Sequence, residues 1–171
     1  MSVMRKRHLR HRYYPWSLGA LLHGRPTLGS VMDLCDENYR YLLRLAPGMR
    51  EMEGSYLSRL EGAMDLYLEI LEQTPYTTLL HLTYYFAHES GQLPDPDATI
   101  RIYHDSRQAE VLNLKQSILP LNRGFIRPTL EQKWKVSLFL SKWLAYSVQQ
   151  GHRFLPDRQL SPTNSTDLLS L

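Results

Sequence analysis

Two stretches of strict alternation flank a proline-containing turn, and they constrain the fold more than any other feature of the chain. Met64, Leu66, Leu68 and Ile70 alternate with Asp65, Tyr67, Glu69 and Leu71. Leu80, Leu82, Tyr84 and Phe86 alternate with Leu79, His81, Thr83 and Tyr85. Gln73-Thr74-Pro75-Tyr76 lies between them. A period of two is that of a half-buried strand, so Met64–Glu72 and Thr78–Phe86 read as a hairpin. Tyr56–Leu60 adds a short strand before it, although Leu57, Leu60, Met64, Tyr67 and Leu71 also fit a helical period over residues 56–72. Thr99–His104 alternates again, with Ile100 and Ile102 set against Arg101 and Tyr103. Asp105-Ser106-Arg107-Gln108 then turns the chain into Ala109–Lys115. The glycine and prolines of Gly91–Asp97 predict a loop, and so do those of Asn122–Pro128.

One apolar sheet face needs a cover, and two helical segments supply it. Ser30 is a predicted cap for a helix from Val31, with Asp33 and Asp36 in its early turns and Leu34, Asn38, Tyr41, Leu42 and Leu45 along one stripe. Pro47-Gly48 ends it. Thr129 and Gln132 form a capping-box pair for a second helix reaching about Gln150, where Gly151 is the expected C-cap. Val136, Phe139, Leu140, Trp143, Leu144 and Val148 form its buried stripe. The predicted class is α+β: a four- or five-stranded antiparallel meander, with an N-terminal helix and a long C-terminal helix packed on one face. A chain of 171 residues with 43% hydrophobic content suits a single domain with its own core. The division expected is a basic arm at 1–30, one domain at 31–155 and a polar, disordered tail at 156–171.

Charge falls in three blocks. Residues 1–30 hold Arg5, Lys6, Arg7, Arg10, Arg12 and Arg25 and no acid. Residues 31–110 hold 14 acids against 6 bases, and residues 111–171 hold 8 bases against 3 acids. The pI near 9.0 points towards nucleic acid, but the basic charge is terminal and the middle is acidic. Complementarity between blocks is the simpler reading, and nucleic-acid binding through the arm is an alternative. Leu18–Leu22 is a short apolar run without a small-residue cleavage site, and no stretch reaches the roughly 20 apolar residues of a membrane span. A cytoplasmic location is expected.

Few residues suggest chemistry. His104 beside Asp105 resembles a base with its orienter, yet neighbours on a strand point to opposite faces. Asp105 is expected to begin a turn and accept backbone amides. His104 shares the parity of Ile100 and Ile102, which makes it a half-buried structural histidine. Metal binding needs several donors at one point, and the seven histidines are scattered, so no metal or cofactor is predicted. Cys35, the single cysteine, reads as a packed, inert thiol. Phosphate-binding glycine loops and a nucleophile elbow are absent from the sequence. The second sheet face is polar and aromatic, carrying Asp65, Tyr67, Glu69, His81, Thr83, Tyr85, Arg101, Tyr103 and Asp105.

Several runs occur together: Cys35-Asp36-Glu37-Asn38-Tyr39, Pro75-Tyr76-Thr77-Thr78-Leu79, Arg101-Ile102-Tyr103-His104-Asp105 with Ala109-Glu110-Val111, and Phe139-Leu140 with Trp143-Leu144 before Gly151-His152. In this order and spacing, over about residues 31–152, they resemble the YqiB-like proteins, a bacterial family of unknown function. The resemblance implies a small cytoplasmic bacterial protein and a link to nucleotide signalling, since genes of the family often sit near those for cyclic-AMP and ADP-ribose hydrolysis. It carries over no catalytic residue. The expected function is that of a non-enzymatic adaptor or regulator acting on a protein partner. The alternative is a nucleotide-binding or nucleotide-sensing domain. The expected ligand or partner surface is His81, Tyr85, Arg101, Tyr103, His104 and Asp105.

Overall fold

The computed structural model describes residues 26–116 and 129–160. The basic arm residues Arg5 to Arg12, the predicted loop at 122–128 and residues 161–171 lie outside them. Helix α1 spans Leu28–Leu45. Five strands follow: β1 Gly54–Ser58, β2 Leu66–Gln73, β3 Thr77–His88, β4 Gly91–Tyr103 and β5 Gln108–Lys115. Helix α2 spans Leu130–Gln150. The sheet order is β1-β2-β3-β4-β5, and every neighbouring pair is antiparallel. This is the α+β meander expected from the alternation, with strand rather than helix at residues 66–73.

The turns follow from their residues. Between β2 and β3 the Thr74 amide donates to the Thr77 carbonyl at 2.9 Å. The Thr74 hydroxyl in turn accepts from the Thr77 amide at 2.9 Å, closing a turn around Pro75, which has no amide to offer. Between β3 and β4 the chain reverses at Glu89-Ser90 into Gly91, whose φ of +116° suits a residue without a Cβ.

Two boundaries differ from the sequence reading. Gly91–Asp97 is the first half of β4 and not a loop. Its ladder to β5 begins only at Asp97, so Pro94 and Pro96 lie where β4 has a single neighbour. The β3–β4 register also shifts between Thr83 and Tyr85, opposite those prolines. Proline's missing donor is tolerated at an edge or a bulge, and both conditions hold here. The Asp95–Pro96 peptide is cis. The cap of α1 is Thr27 rather than Ser30. Ser30 is the returning partner: its hydroxyl accepts from the Thr27 amide at 2.9 Å, while Thr27 Oγ1 accepts from the Ser30 amide at 3.1 Å. Serine does here what Glu or Gln usually does in a capping box, so the signal sits three residues earlier. Asp33 and Asp36 therefore fall beyond the first turn. At α2 the predicted Thr129–Gln132 box is present.

Both helices cover the same sheet face. Leu66, Leu68, Leu80, Leu82, Ala98, Ile100, Ile102 and Ala109 are buried on one parity of their strands. They pack in one cluster with Leu42 and Leu45 of α1 and Phe139, Leu140, Trp143 and Leu144 of α2. The helices run in the same direction. Asn38 Nδ2 of α1 donates to the Ser137 carbonyl of α2 at 3.1 Å, and further along the Phe154 amide just past α2 donates to the Leu45 carbonyl at 2.6 Å.

After Gly151, left-handed at φ +100°, the chain turns back onto the sheet edge. Phe154 is 2% exposed and joins the core. Residues 156–160, which the sequence reading assigns to the tail, lie along β1: Gln159 forms a bridge with Tyr56 and the Leu160 amide donates to Ser55 at 2.8 Å. Pro156 lies against Gly48, where an added Cβ would come within 2.5 Å of its ring.

Two outcomes are expected. Trp143→Ala should cost about 3–5 kcal/mol in urea unfolding, the range for truncating a buried aromatic; an unchanged midpoint would mean that the α2 stripe is not core. Gly48→Ala should push Pro156 away and speed tryptic cleavage at Arg158; a wild-type digestion rate would show that the segment accommodates the methyl.

Candidate functional site

The outer sheet face takes the opposite parity, and no described helix packs on it. Register places Glu69, His81 and Thr99 side by side on β2, β3 and β4. Tyr67, Thr83 and Asp97 form the next row. His81 sits between carboxylates: Nε2 hydrogen-bonds Asp97 Oδ1, and Nδ1 lies 4.0 Å from Glu69 Oε2. The Tyr67 and Tyr85 rings meet edge to face, with centroids 4.9 Å apart. Burial first, then the Asp97 and Glu69 carboxylates, raises the Tyr85 phenol above its ordinary pKa. Burial and Asp65 raise Tyr67 in the same direction, against the opposing effect of Arg59. Both phenols therefore stay neutral donors. Thr83 Oγ1 bonds the Pro96 carbonyl at 2.8 Å and ties the bulge together beneath them.

The predicted surface residues separate into groups. His81 and Tyr85 belong to this cluster. Arg101 and Tyr103 lie further along the same face, opposite Leu79 and Thr77 on β3 and Glu110 and Gln108 on β5. Tyr103 reaches Glu110 at 3.4 Å. Asp105 opens the β4–β5 turn and accepts the Ser106 amide at 2.8 Å, the role its position suggests. His104 does not share the surface. It is 9% exposed and takes the parity of Ile100 and Ile102, as its spacing implies.

His104 ends a buried chain of hydrogen bonds whose directions are fixed. Gln73 Nε2 donates to the Met49 carbonyl at 2.7 Å, so its Oε1 is left to accept from Thr78 Oγ1. Thr78 Oγ1 has then given its proton away and accepts from His104 Nε2 at 2.8 Å. The imidazole is accordingly the neutral Nε2–H form, with Nδ1 buried and lacking a hydrogen-bond partner among the described residues. Burial, and then the nearby Arg50 guanidinium, lowers its pKa against the pull of Asp105. Tyr39 stands edge-on to the ring, with centroids 6.2 Å apart, and the Arg107 guanidinium lies 5.8 Å over Tyr39.

Asp97 is the member of the outer cluster that sequence reasoning misses. The glycine and prolines before it read as a loop, and a loop residue has no face. Its signal is the parity it shares with Thr99 and Arg101. Among the described residues, no three histidine, cysteine or carboxylate groups converge as a metal would need. The two carboxylates approach opposite nitrogens of His81, which spreads the donors around the ring instead of gathering them. Cys35 is half-buried, and burial followed by Glu110 and Asp36 raises its pKa, which disfavours the thiolate.

The outer cluster thus offers carboxylate acceptors and aromatic faces, a chemistry suited to holding a cationic group. The class defined by fold and face is a small α+β module with a one-sided sheet. The chain belongs to the family described as a protein of unknown function, DUF1249, whose pattern matches residues 41–153. It is 29% identical over 136 residues to the uncharacterized protein YqiB of Escherichia coli strain K12, a match covering 77% of this chain and 95% of that one. The YqiB proteins of the O6:H1 and O157:H7 strains match to the same extent. No solved structure matches the chain. Among the described residues no helix is long and apolar enough to cross a membrane.

A second buried histidine gives the fold a pH signature. His152 is 3% exposed, with Nδ1 2.9 Å from Ser58 Oγ, and burial lowers its pKa against Asp65 and the Ser58 backbone. The unfolded chain takes up these two protons below about pH 6.5, while the folded protein resists them until a lower pH. Stability should be complete well above that value and fall as pH drops through it. Denaturant titrations across this window should show a shallower fall for His104→Gln and His152→Gln than for the wild type. Parallel curves would mean that the two histidines titrate alike in both states.

Proposed function

We propose that the protein is a non-enzymatic binding module that acts on a protein partner through the outer face of its sheet. The observation that carries this reading is the His81–Asp97–Glu69 cluster beside the Tyr67–Tyr85 pair. Both histidine nitrogens are directed at carboxylates, which orders the ring and fits it better for positioning neighbours than for moving protons. Tyrosines held edge to face offer large, rigid contact area at small entropic cost, the usual character of an interface anchor. Leu79 and Leu57 add apolar surface to the same face, and Arg101 provides a charge that makes no ion pair with a described residue. The partner segment best matched to Glu69 and Asp97 carries lysine or arginine. The six basic residues of the N-terminal arm are a further proposed contact, acting over the longer range of unscreened charge.

An adaptor or regulatory role follows from a face that binds without transforming what it holds. Affinity capture from native bacterial lysate, compared between the wild type and Glu69→Arg/Tyr85→Ala, tests it. A stoichiometric partner should be retained by the wild type and lost by the double variant while the melting temperature is kept. Capture of nothing stoichiometric, or of the same partner by both proteins, would refute this reading.

A further inference from the structure

A cleft of about 140 Å³ lies between β1 and the segment that follows α2, away from the outer cluster. Ser58, Arg59, Gly151, Arg153, Phe154 and Arg158 contribute to its lining. Three arginines thus contribute to one small space, and among the described residues only one of them is paired with a carboxylate. Arg59 is held by Asp65 through a two-pronged pair, with Nε at 3.0 Å and Nη2 at 2.7 Å from Oδ2. Arg153 and Arg158 form no ion pair with any described residue. Asp157 is exposed beside Arg158 and is not part of the lining.

The arginines are carried on a tightly fixed backbone. The Arg153 amide donates to Ser58 Oγ at 3.2 Å, and the same hydroxyl meets His152 Nδ1 at 2.9 Å. Phe154 is plugged into the core with its amide on Leu45. The Arg158 amide donates to Leu155 at 3.0 Å, and Gln159 and Leu160 are tied to β1. Pro156 rests on Gly48. The backbone that carries the two unpaired arginines is thus fixed beside β1, and Arg59, which directly follows β1, keeps its Nη1 outside the Asp65 pair.

We propose that this cleft binds the terminal phosphate of a phosphorylated small molecule, held by Arg153 and Arg158 with Arg59 as the third donor. Guanidinium groups present planar forks of N–H donors that match phosphate oxygens, and two uncompensated positive charges suit a dianion better than a single carboxylate. The volume is below the roughly 300–1,000 Å³ of a site that engulfs a drug-sized ligand, so the phosphate enters and the rest of the molecule lies outside. Leu57 borders both surfaces, but none of Tyr67, Glu69, His81, Tyr85 and Asp97 lines the cleft and no arginine of the cleft is used in the protein-binding reading, so the two proposals are tested by different variants.

The test is an amide and arginine Nε chemical-shift titration of the full chain with inorganic phosphate, against chloride at matched ionic strength. Saturable shifts at Ser58, Arg59, Arg153 and Phe154 with phosphate, and none with chloride, are expected. Arg153→Gln/Arg158→Gln should weaken binding about tenfold or more for each guanidinium removed, with an unchanged melting temperature because both side chains are exposed. Arg153→Lys, which keeps the charge and loses the fork, should fall between the two. Titrations with adenosine monophosphate and glucose 6-phosphate then identify the source: equal affinities point to the phosphate alone, and a tighter ester to its carrier. Shifts that do not saturate, that chloride reproduces, or that persist in the double variant would overturn the proposal.

Discussion

Leu80, Leu82, Ile100 and Ile102 of the two central strands meet Leu42, Phe139, Leu140, Trp143 and Leu144 of both helices across a single interface. Almost every other property of the fold depends on that layer. Because α1 and α2 cover the same side, one parity of each strand is sealed in the core and the other is left to the outer face. Register is consequently pinned: a slip by one residue would send the leucines out and bring His81, Glu69 and Arg101 in. The parallel course of the helices follows from the same constraint. A meander of five strands returns the chain to the opposite edge of the sheet from β1, and α2 must cross back over the apolar face to bring residues 151–160 alongside β1.

Parity also decides what each histidine does. His81 lies on β3 and His104 directly follows β4, yet one faces outward between two carboxylates and the other inward on a threonine. Burial makes the charged form of His104 costly, so the surrounding bonds select one neutral tautomer. The Gln73–Thr78–His104 chain then acts as a polar seam at the rim of an apolar layer, joining the turn after α1 to the ends of β2, β3 and β4. His152 plays a comparable part at the other edge, where its bond to Ser58 ties the end of α2 to β1. Such directional bonds specify a unique arrangement where leucines alone would permit sliding.

Much of this architecture is written in local patterns. Alternation specifies β2, β3, the second half of β4 and the direction in which His104 points. The Thr129–Gln132 pair locates the start of α2 because its capping bonds need only neighbours three residues apart. Asp105 likewise declares its turn. What escapes such patterns depends on non-local compensation. Pro94 and Pro96 argue against a strand unless β5 is known to stop at Asp97 and β3 to bulge at Thr83–Tyr85, and neither fact is visible in the seven residues themselves. Losing that strand also hides Asp97 from the outer cluster. The course of residues 156–160 is hidden for a similar reason: a polar, proline-bearing segment looks like tail, and only the close approach of Pro156 to Gly48 and the β1 edge explains why it is held.

The segment after α2 then resolves a difficulty that a one-sided sheet creates. An edge strand as short as β1 exposes unpaired amides and carbonyls that invite pairing with another chain. Here Gln159 and Leu160 take part of that edge, while Arg153 and Arg158 place positive charge along it. Charge at an edge strand discourages a second copy from docking there, because like guanidiniums would be brought together. A phosphate between the two arginines would relieve that repulsion and bridge the final segment to the β1 side through Arg59. In the proposed site, the positive charge that guards the edge is the same charge that would hold the anion. Acid on the broad outer face and base at its margin are the charge patterns on which the two proposed occupants rest, a cationic protein segment on the sheet and a phosphate at the edge.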